Sequence, residues 1–318
     1  MFRSALMAAT VLSCLASAAI AQDYPSRPIT IVMQFPAGGT ADAATRLFAD
    51  VVGRDLGQRV IIDNRSGGGG TVAAMAVKQA QPDGYTLRLI DIGADVILPL
   101  LQDVPYDPGR DFAPITAVMS WGQFLMVPAA SAAHDVKGLL ALARGGDLTY
   151  GSQGFGSGGH LLGAMLQMAA GAPLIHVPYK GGGPLTIDLI AGRIDLCFTS
   201  YREMRQHLAD GKVRMLAQAA PARSPLVPEV PTFAELGVPG VELSPWFGLA
   251  APAGTPADVV RTLGAAFARA AKDPSLLERL SREGIDVRVG TPGELAALIA
   301  ADKQRLGQVI KSQGIKAE

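Results

Sequence analysis

Apolar positions along this chain fall into short runs broken by glycine, and the runs alternate between strand-like and helix-like spacing. Ile29–Phe35 is an apolar run of strand length. Pro36-Ala37-Gly38-Gly39-Thr40 breaks it, and Ala41–Val52 has helical composition. Arg59–Asn64 reads as the next strand, Ser66–Gly70 as a loop, and Thr71–Gln81 as a helix. Pro82-Asp83-Gly84 is a turn, and Tyr85–Ile90 is a third strand. This alternation is the pattern of βαβ units on a parallel sheet.

The middle of the chain repeats the plan. Leu148–Gly151 is a strand, Gly151–Gly159 a loop, and His160–Ala170 a helix. Leu174–Pro178, Gly181–Gly183, Leu185–Ala191 and Ile194–Thr199 then read as strand, loop, helix and strand. The pattern predicts two similarly built α/β lobes. A short helix is expected at Thr232–Leu236, an extended segment at Ser244–Ala253, and closing helices at Ala257–Ala271 and Pro292–Ser312. Packing of those closing helices onto the first lobe makes the chain cross twice, near Gly122–Val127 and Leu243–Leu249. Two crossovers make a hinge, and a hinge between lobes makes a cleft. The expected division is 22–124 plus 248–318 for one lobe and 125–247 for the other.

Residues 1–21 carry Arg3, then an apolar run broken by Ser and Thr, then Ala19-Ile20-Ala21. That is the layout of a secretory signal with an A-x-A cleavage site, and a lipid anchor at Cys14 fits it poorly. No later stretch reaches about 18 unbroken apolar residues, so a soluble chain working in the periplasm is expected. Loss of the leader leaves 297 residues, with 27 basic against 28 acidic, a net charge of −1. Such a balance disfavours nucleic-acid partners. One thiol, Cys197, remains, and it lies in the apolar run IDLCF as an inert buried group. Cysteine-cluster metal sites are excluded on ligand count, and His134, His160, His176 and His207 have no metal-ligand spacing. No cofactor and no metal are expected.

The chemistry concentrates in two glycine loops. Phe35–Asp42 reads FPAGGTAD, a strand end, glycines and a helix start. Unpaired N–H groups and the helix dipole there attract an anion without Arg or Lys. Thr40 is the expected N-cap, and Asp42 either caps the helix or meets a ligand amino group or a bridging water. Gly151–His160, GSQGFGSGGH, has the same physics, with Ser152 and Ser157 as hydroxyl donors and His160 either a ligand contact or a backbone-bonded residue. Ser66–Gly70 and Gly181–Gly183 are expected to be close-packing turns. Gly154, Gly156 and Gly159 satisfy G-x-G-x-x-G, yet Ile175-His176-Val177 stands where the dinucleotide acid belongs. No P-loop, no G-x-S-x-G and no assembled triad is present, which leaves an enzymatic reading without a paired nucleophile and base.

Taken in order, YPSRPITIVMQFPAGGTAD (24–42), DNRSGGGG, PDGYTL, VPYDPGRDFAPIT, LTYGSQGFGSGGHL, HVPYKGGGP, EVPTFAELG, SPWFGLAAPAGTP and the closing GIKAE resemble the periplasmic substrate-binding proteins of tripartite tricarboxylate transporters, the Bug family. The resemblance runs from Tyr24 to Lys316. It implies a two-lobed venus-flytrap fold, each lobe a mostly parallel sheet flanked by helices, that clamps a ligand at a two-strand hinge. It implies a small organic carboxylate held by Phe35, Gly38, Gly39, Thr40 and Asp42 on one side and Ser152, Gly156, Ser157 and His160 on the other. It further implies no catalysis and a membrane permease as partner, and a monomer is expected; a sensor-kinase partner or an extracytoplasmic hydrolase are the alternative readings.

Two segments depart from the family pattern. Relatives carry small polar residues before an Asn-Pro where this chain reads Asp91 to Pro99, with Asp91 and Asp95. D-N-x-x-S is common where this chain has Thr199-Ser200-Tyr201-Arg202-Glu203. Asp95 and Ser200 complete the candidate ligand-binding set. Arg202 is expected to pair with a distal anion, Asp95 or Glu203, or to be solvated.

Overall fold

The computed structural model describes residues 24–171, 173–313 and 315. The expected leader (1–21, with Cys14) and the closing residues 316–318 lie outside the described residues. The chain opens with β1 (Ile29–Met33), α1 (Thr40–Leu56), β2 (Val60–Asn64), α2 (Thr71–Lys78) and β3 (Thr86–Asp91). A π-helical turn (Gly93–Ile97) and α3 (Leu98–Leu101) lead to β4 (Phe112–Trp121). Then come β5 (Phe124–Pro128), α4 (Val136–Gly145), β6 (Leu148–Ser152), α5 (Gly158–Ala170), β7 (Leu174–Pro178), α6 (Gly182–Ile190), β8 (Leu196–Thr199), α7 (Tyr201–Ala209) and β9 (Val213–Gln218). The chain ends with β10 (Trp246–Pro252), α8 (Ala257–Ala270), α9 (Pro274–Arg282), β11 (Ile285–Val287) and α10 (Pro292–Gln313).

Two sheets result, in the orders β11-β4-β10-β3-β1-β2 and β7-β6-β8-β5-β9. In the first, β1 lies between β2 and β3, parallel to both. In the second, β6 lies between β7 and β8, again parallel to both. Each parallel trio is extended by an antiparallel strand that arrives from elsewhere in the chain: β10 beside β3, and β5 beside β8. Sheet membership therefore changes between Trp121 and Phe124, and again between Gln218 and Trp246. The two similarly built lobes expected from the repeat, and the two-lobed periplasmic-binding-protein architecture that the resemblance implies, are present. Each sheet is mixed rather than mostly parallel, because β4, β5, β9, β10 and β11 pair antiparallel.

Local sequence accounts for the helix that matters most. Helix α1 buries Ala41, Ala44, Thr45, Phe48 and Val52, a stripe at helical spacing, and stops at Gly57 in the left-handed conformation (φ 65°). Phe48 stacks on Phe267 of α8 at 6.0 Å, and Arg269 pairs with Asp55 at 2.6 Å, which fastens a closing helix to α1. Asp302 of α10 accepts from the Trp246 indole at 2.7 Å on the same sheet.

One expected element is absent: Thr232–Leu236 is a run of turns, not a helix. Its single turn closes by Leu236 N–H to the Thr232 and Phe233 carbonyls. Thr232 is also held in a parallel bridge to Gln218, so its backbone serves the sheet instead. Among the described residues no helix is long and apolar enough to cross a membrane. Cys197 is fully buried, and burial raises its thiol pKa well above the ordinary value.

Candidate functional site

The C-terminal ends of β1, β3, β6 and β8 face a cavity of about 990 Å³ between the two sheets. The two sides touch around it. Thr40 Oγ1 and Ser200 Oγ share a hydrogen bond of 2.9 Å. Arg202 and Arg205 of α7 reach Glu283 beyond α9, at 3.4 and 3.2 Å. A methyl placed on Gly181 would come within 2.8 Å of Pro36.

The first loop forms its wall as expected, with Phe35, Gly38, Gly39 and Thr40 on the cavity surface. Gly38 has φ 88°, which a side chain would disfavour. Its N–H donates to Asp42 Oδ2 at 2.9 Å. The N-cap of α1 is Gly39, with no side-chain cap, rather than Thr40. Thr40 instead spends its hydroxyl on the opposite side. Asp42 is buried behind the wall and does not line it. Its carboxylate receives Arg46 Nε and Asn64 Nδ2 at 3.0 Å, and Asn64 also donates to Phe35 O at 2.9 Å. Burial by itself raises the Asp42 pKa, but the bonds from Arg46, Gly38 and Asn64 prevail and hold it below the ordinary 3.8. Asp42 is thus a charged staple for the loop and the helix start.

The second loop is similarly braced. Gly156 and Ser157 line the cavity, whereas Ser152 and His160 lie behind it. Ser157 caps α5 by accepting from His160 N–H. Ser152 Oγ bonds His176 Nε2 at 2.7 Å. His160 Nδ1 accepts the Gly156 N–H at 3.2 Å, so its ring proton is assigned to Nε2. The two imidazoles stack at 4.3 Å, with Phe155 edge-on to both. Burial lowers both to about 4, and for His176 the neighbouring His160 adds to the effect. Both rings are neutral at pH 7.

The two acids of the departing segment play different parts. Asp95 does not reach the cavity: it is fully buried, pairs with Arg88 at 2.6 Å and accepts Asp91 N–H at 3.0 Å. Asp91 does line the cavity. Its Oδ1 accepts the N–H groups of Gly93 and Ala94, and its Oδ2 is buried with no partner. Burial, and then the charge of Asp95, raise Asp91 to about 7.

Arg202 lines the cavity and pairs with Glu283, not with Asp95 or Glu203. Ser200 lies on the wall and caps α7. Gly67–Gly70, Gly181 and Gly182 leave little room for a side chain, but Gly183 is open and both segments line the cavity, so the expectation of close-packing turns alone does not hold. Helix α6 starts at Gly181 without a side-chain cap, like α1. Its glycines followed by a helix carry the same sequence signal as the first loop. Sequence reasoning also missed an aromatic wall, where Phe247 stacks on Trp121 at 4.0 Å and meets Phe35 edge-on at 5.8 Å. It missed Gln34, Gln123 and Glu203 on the same surface.

The chain is similar to known proteins over most of its length. The model of the tripartite tricarboxylate transporter family receptor matches residues 44–315. A UPF0065 protein from the tcbD-tcbE intergenic region of Pseudomonas sp. (strain P51) is 38% identical over 297 residues, covering 92% of this chain and 88% of the relative. The R. palustris protein Rpa4515, solved with adipate, superposes with a TM-score of 0.88 at 34% identity, covering 92% of this chain and 99% of that one. MatC from Rhodopseudomonas palustris, solved with bound malate, gives 0.84 at 31% identity, over 90% of this chain and all (100%) of the other.

Proposed function

Because the chain belongs to the tripartite tricarboxylate transporter receptor family, we propose that it captures a small organic carboxylate outside the cytoplasmic membrane and delivers it to the membrane permease of such a transporter. The ligand is clamped between the Phe35–Thr40 loop on one lobe and the Gln153–Ser157 and Gly181–Gly183 loops on the other. The lobes are 22–124 plus 248–318, and 125–247, hinged where the chain changes sheet. The protein works as a monomer and performs no chemistry on its cargo.

One observation supports this reading most. Two helices that start without a side-chain cap, α1 at Gly39 and α6 at Gly181, present their first turns to one cavity from opposite sheets. Oriented N–H groups from two helix starts attract an anion with no bound cation. The aromatic wall of Phe35, Trp121 and Phe247 suits the hydrocarbon part of an organic acid. The adipate and malate in the two R. palustris structures are ligands of that class.

The test is a thermal-shift panel of organic acids on ligand-free protein, compared with Gly39→Val. A ligand at a hundred times its Kd stabilises by about 2.7 kcal/mol. Gly39 has φ −72°, and a Cβ there would meet only Pro36 O at 3.7 Å, so the variant keeps the fold. Loss of the acid-induced shift in a variant of unchanged Tm is expected. An acid that shifts both proteins equally refutes the first-loop assignment, and a panel with no hit refutes the carboxylate reading.

A further inference from the structure

The cavity already contains a carboxyl group belonging to the chain itself. Glu203, in the first turn of α7, lies on the cavity wall. Its side chain accepts from the Thr199 hydroxyl on its own side. Its charged form is also favoured by Thr40, at the start of α1 on the opposite side, whose hydroxyl bonds Ser200 at the N-cap of α7. A methyl on Gly182 would fall 2.6 Å from Glu203 Oε2, so the same carboxyl group abuts the start of α6. Glu203 therefore stands where the two uncapped helix starts converge.

A second acid faces the cavity from the first sheet. Asp91 is only 4% exposed, and its Oδ2 has no hydrogen-bond partner. Two neighbouring acceptors are in the same condition: Gln34 Oε1 and Gln123 Oε1, both on residues that line the cavity and are more than nine-tenths buried. Buried acceptors without donors are satisfied by a ligand that brings donors. Of the cations on the wall, Arg202 lies 3.4 Å from Glu283 and also favours the charge of Glu203, while Lys180 is exposed; neither pairs with Asp91.

We infer that Glu203 and Asp91 are specificity-determining residues that reserve the cavity for a monocarboxylate whose other end carries hydrogen-bond donors, an amide or an ammonium, and that exclude dicarboxylates. Glu203 sets its own carboxyl group where the two helix starts converge, so they hold one ligand carboxylate rather than two. Asp91, Gln34 and Gln123 offer oxygens to the far end, where the ionised form of Asp91 sets a like charge against a second carboxylate. The inference rests on the carboxylate-binding reading and narrows it.

Matched ligands separate the two. Calorimetric titration would use succinate, glutarate and adipate against their monoamides and against the ω-amino acids of equal length. In at least one matched set the amide or amino acid should bind tenfold or more tightly than the diacid. Glu203→Ala, which removes the chain's own carboxyl group from the helix starts, should tighten diacid binding by at least tenfold. Asp91→Asn should remove the preference for an ammonium over an amide. Diacids that bind the unaltered protein as well as their monoamides overturn this inference and leave the carboxylate reading standing. A folded Glu203→Ala protein with no gain for diacids overturns the role of Glu203. Absence of binding by every acid overturns the carboxylate reading and this inference together.

Discussion

Acidification should loosen the cavity wall from behind, through His160 and His176. Both rings are buried and neutral, and His160 accepts the Gly156 N–H that shapes the second loop. An imidazolium cannot accept that bond, and two stacked imidazoliums 4.3 Å apart repel. The ordinary pKa is 6.5 and the folded value is about 4 for each. Above pH 6.5 neither state binds these protons and they leave stability unchanged. Between 6.5 and 4 the unfolded chain takes up protons that the folded one refuses, so stability falls as pH falls. Below 4 both states are protonated and the loss levels off. A gap of about 2.5 in pKa corresponds to roughly 3 kcal/mol per ring at 1.36 kcal/mol for each pKa unit. Against a typical stability of about 5–15 kcal/mol, a loss of this order is easily measured.

The assay is urea denaturation at steps from pH 7.5 to pH 4, on the unaltered protein and on a His160→Asn, His176→Gln double variant. Those amides keep acceptors near the ring nitrogens and do not titrate. Their stability should vary less steeply across the pH 6.5 to 4 window, and ligand affinity should persist to lower pH. Equal slopes for the two proteins would show that the buried pair does not control the acid response.

Two further substitutions test the packing behind the site. Arg88→Met should destabilise by about 3–5 kcal/mol, because it strands the buried Asp95 carboxylate; adding Asp95→Leu should recover much of this in chemical denaturation, and no recovery would refute the pairing argument. Gly163→Ala should cost about 1–3 kcal/mol, since a methyl there overlaps the Tyr150 ring, a close approach that only a glycine allows; an unchanged denaturation midpoint would show that the ring has room to move.

Much of the fold was legible because its signals are local. The strand, glycine-loop, helix order at residues 29–90 and again at 148–199 depends on spacing and turn chemistry within a few residues. Elements outside that repeat were harder. Helix α9 has a strongly two-faced pattern and a capping Asp273, yet nothing local ties it to the repeat. Thr232–Leu236 has helical composition and forms turns, because its backbone is drawn to Gln218.

The site divides in the same way. The chain's own order of residues determined that Phe35–Thr40 and Gly156–Ser157 would flank a cavity, since a glycine loop between a strand end and a helix start is a local arrangement. It also contained the Gly181–Gly183 start of α6 in the same form. Only the tertiary structure decided which polar groups face that cavity and which stand behind it. Asp42, His160 and Asp95 look like ligand contacts in one dimension; burial and nearby partners turn them into supports for the wall. Glu203 reads as an ordinary helix acid until folding lays it against Thr40, far away along the chain and on the opposite sheet. Charge and hydrogen bonding act over a few ångströms of space, and the path of the chain between two sheets decides which residues share that space.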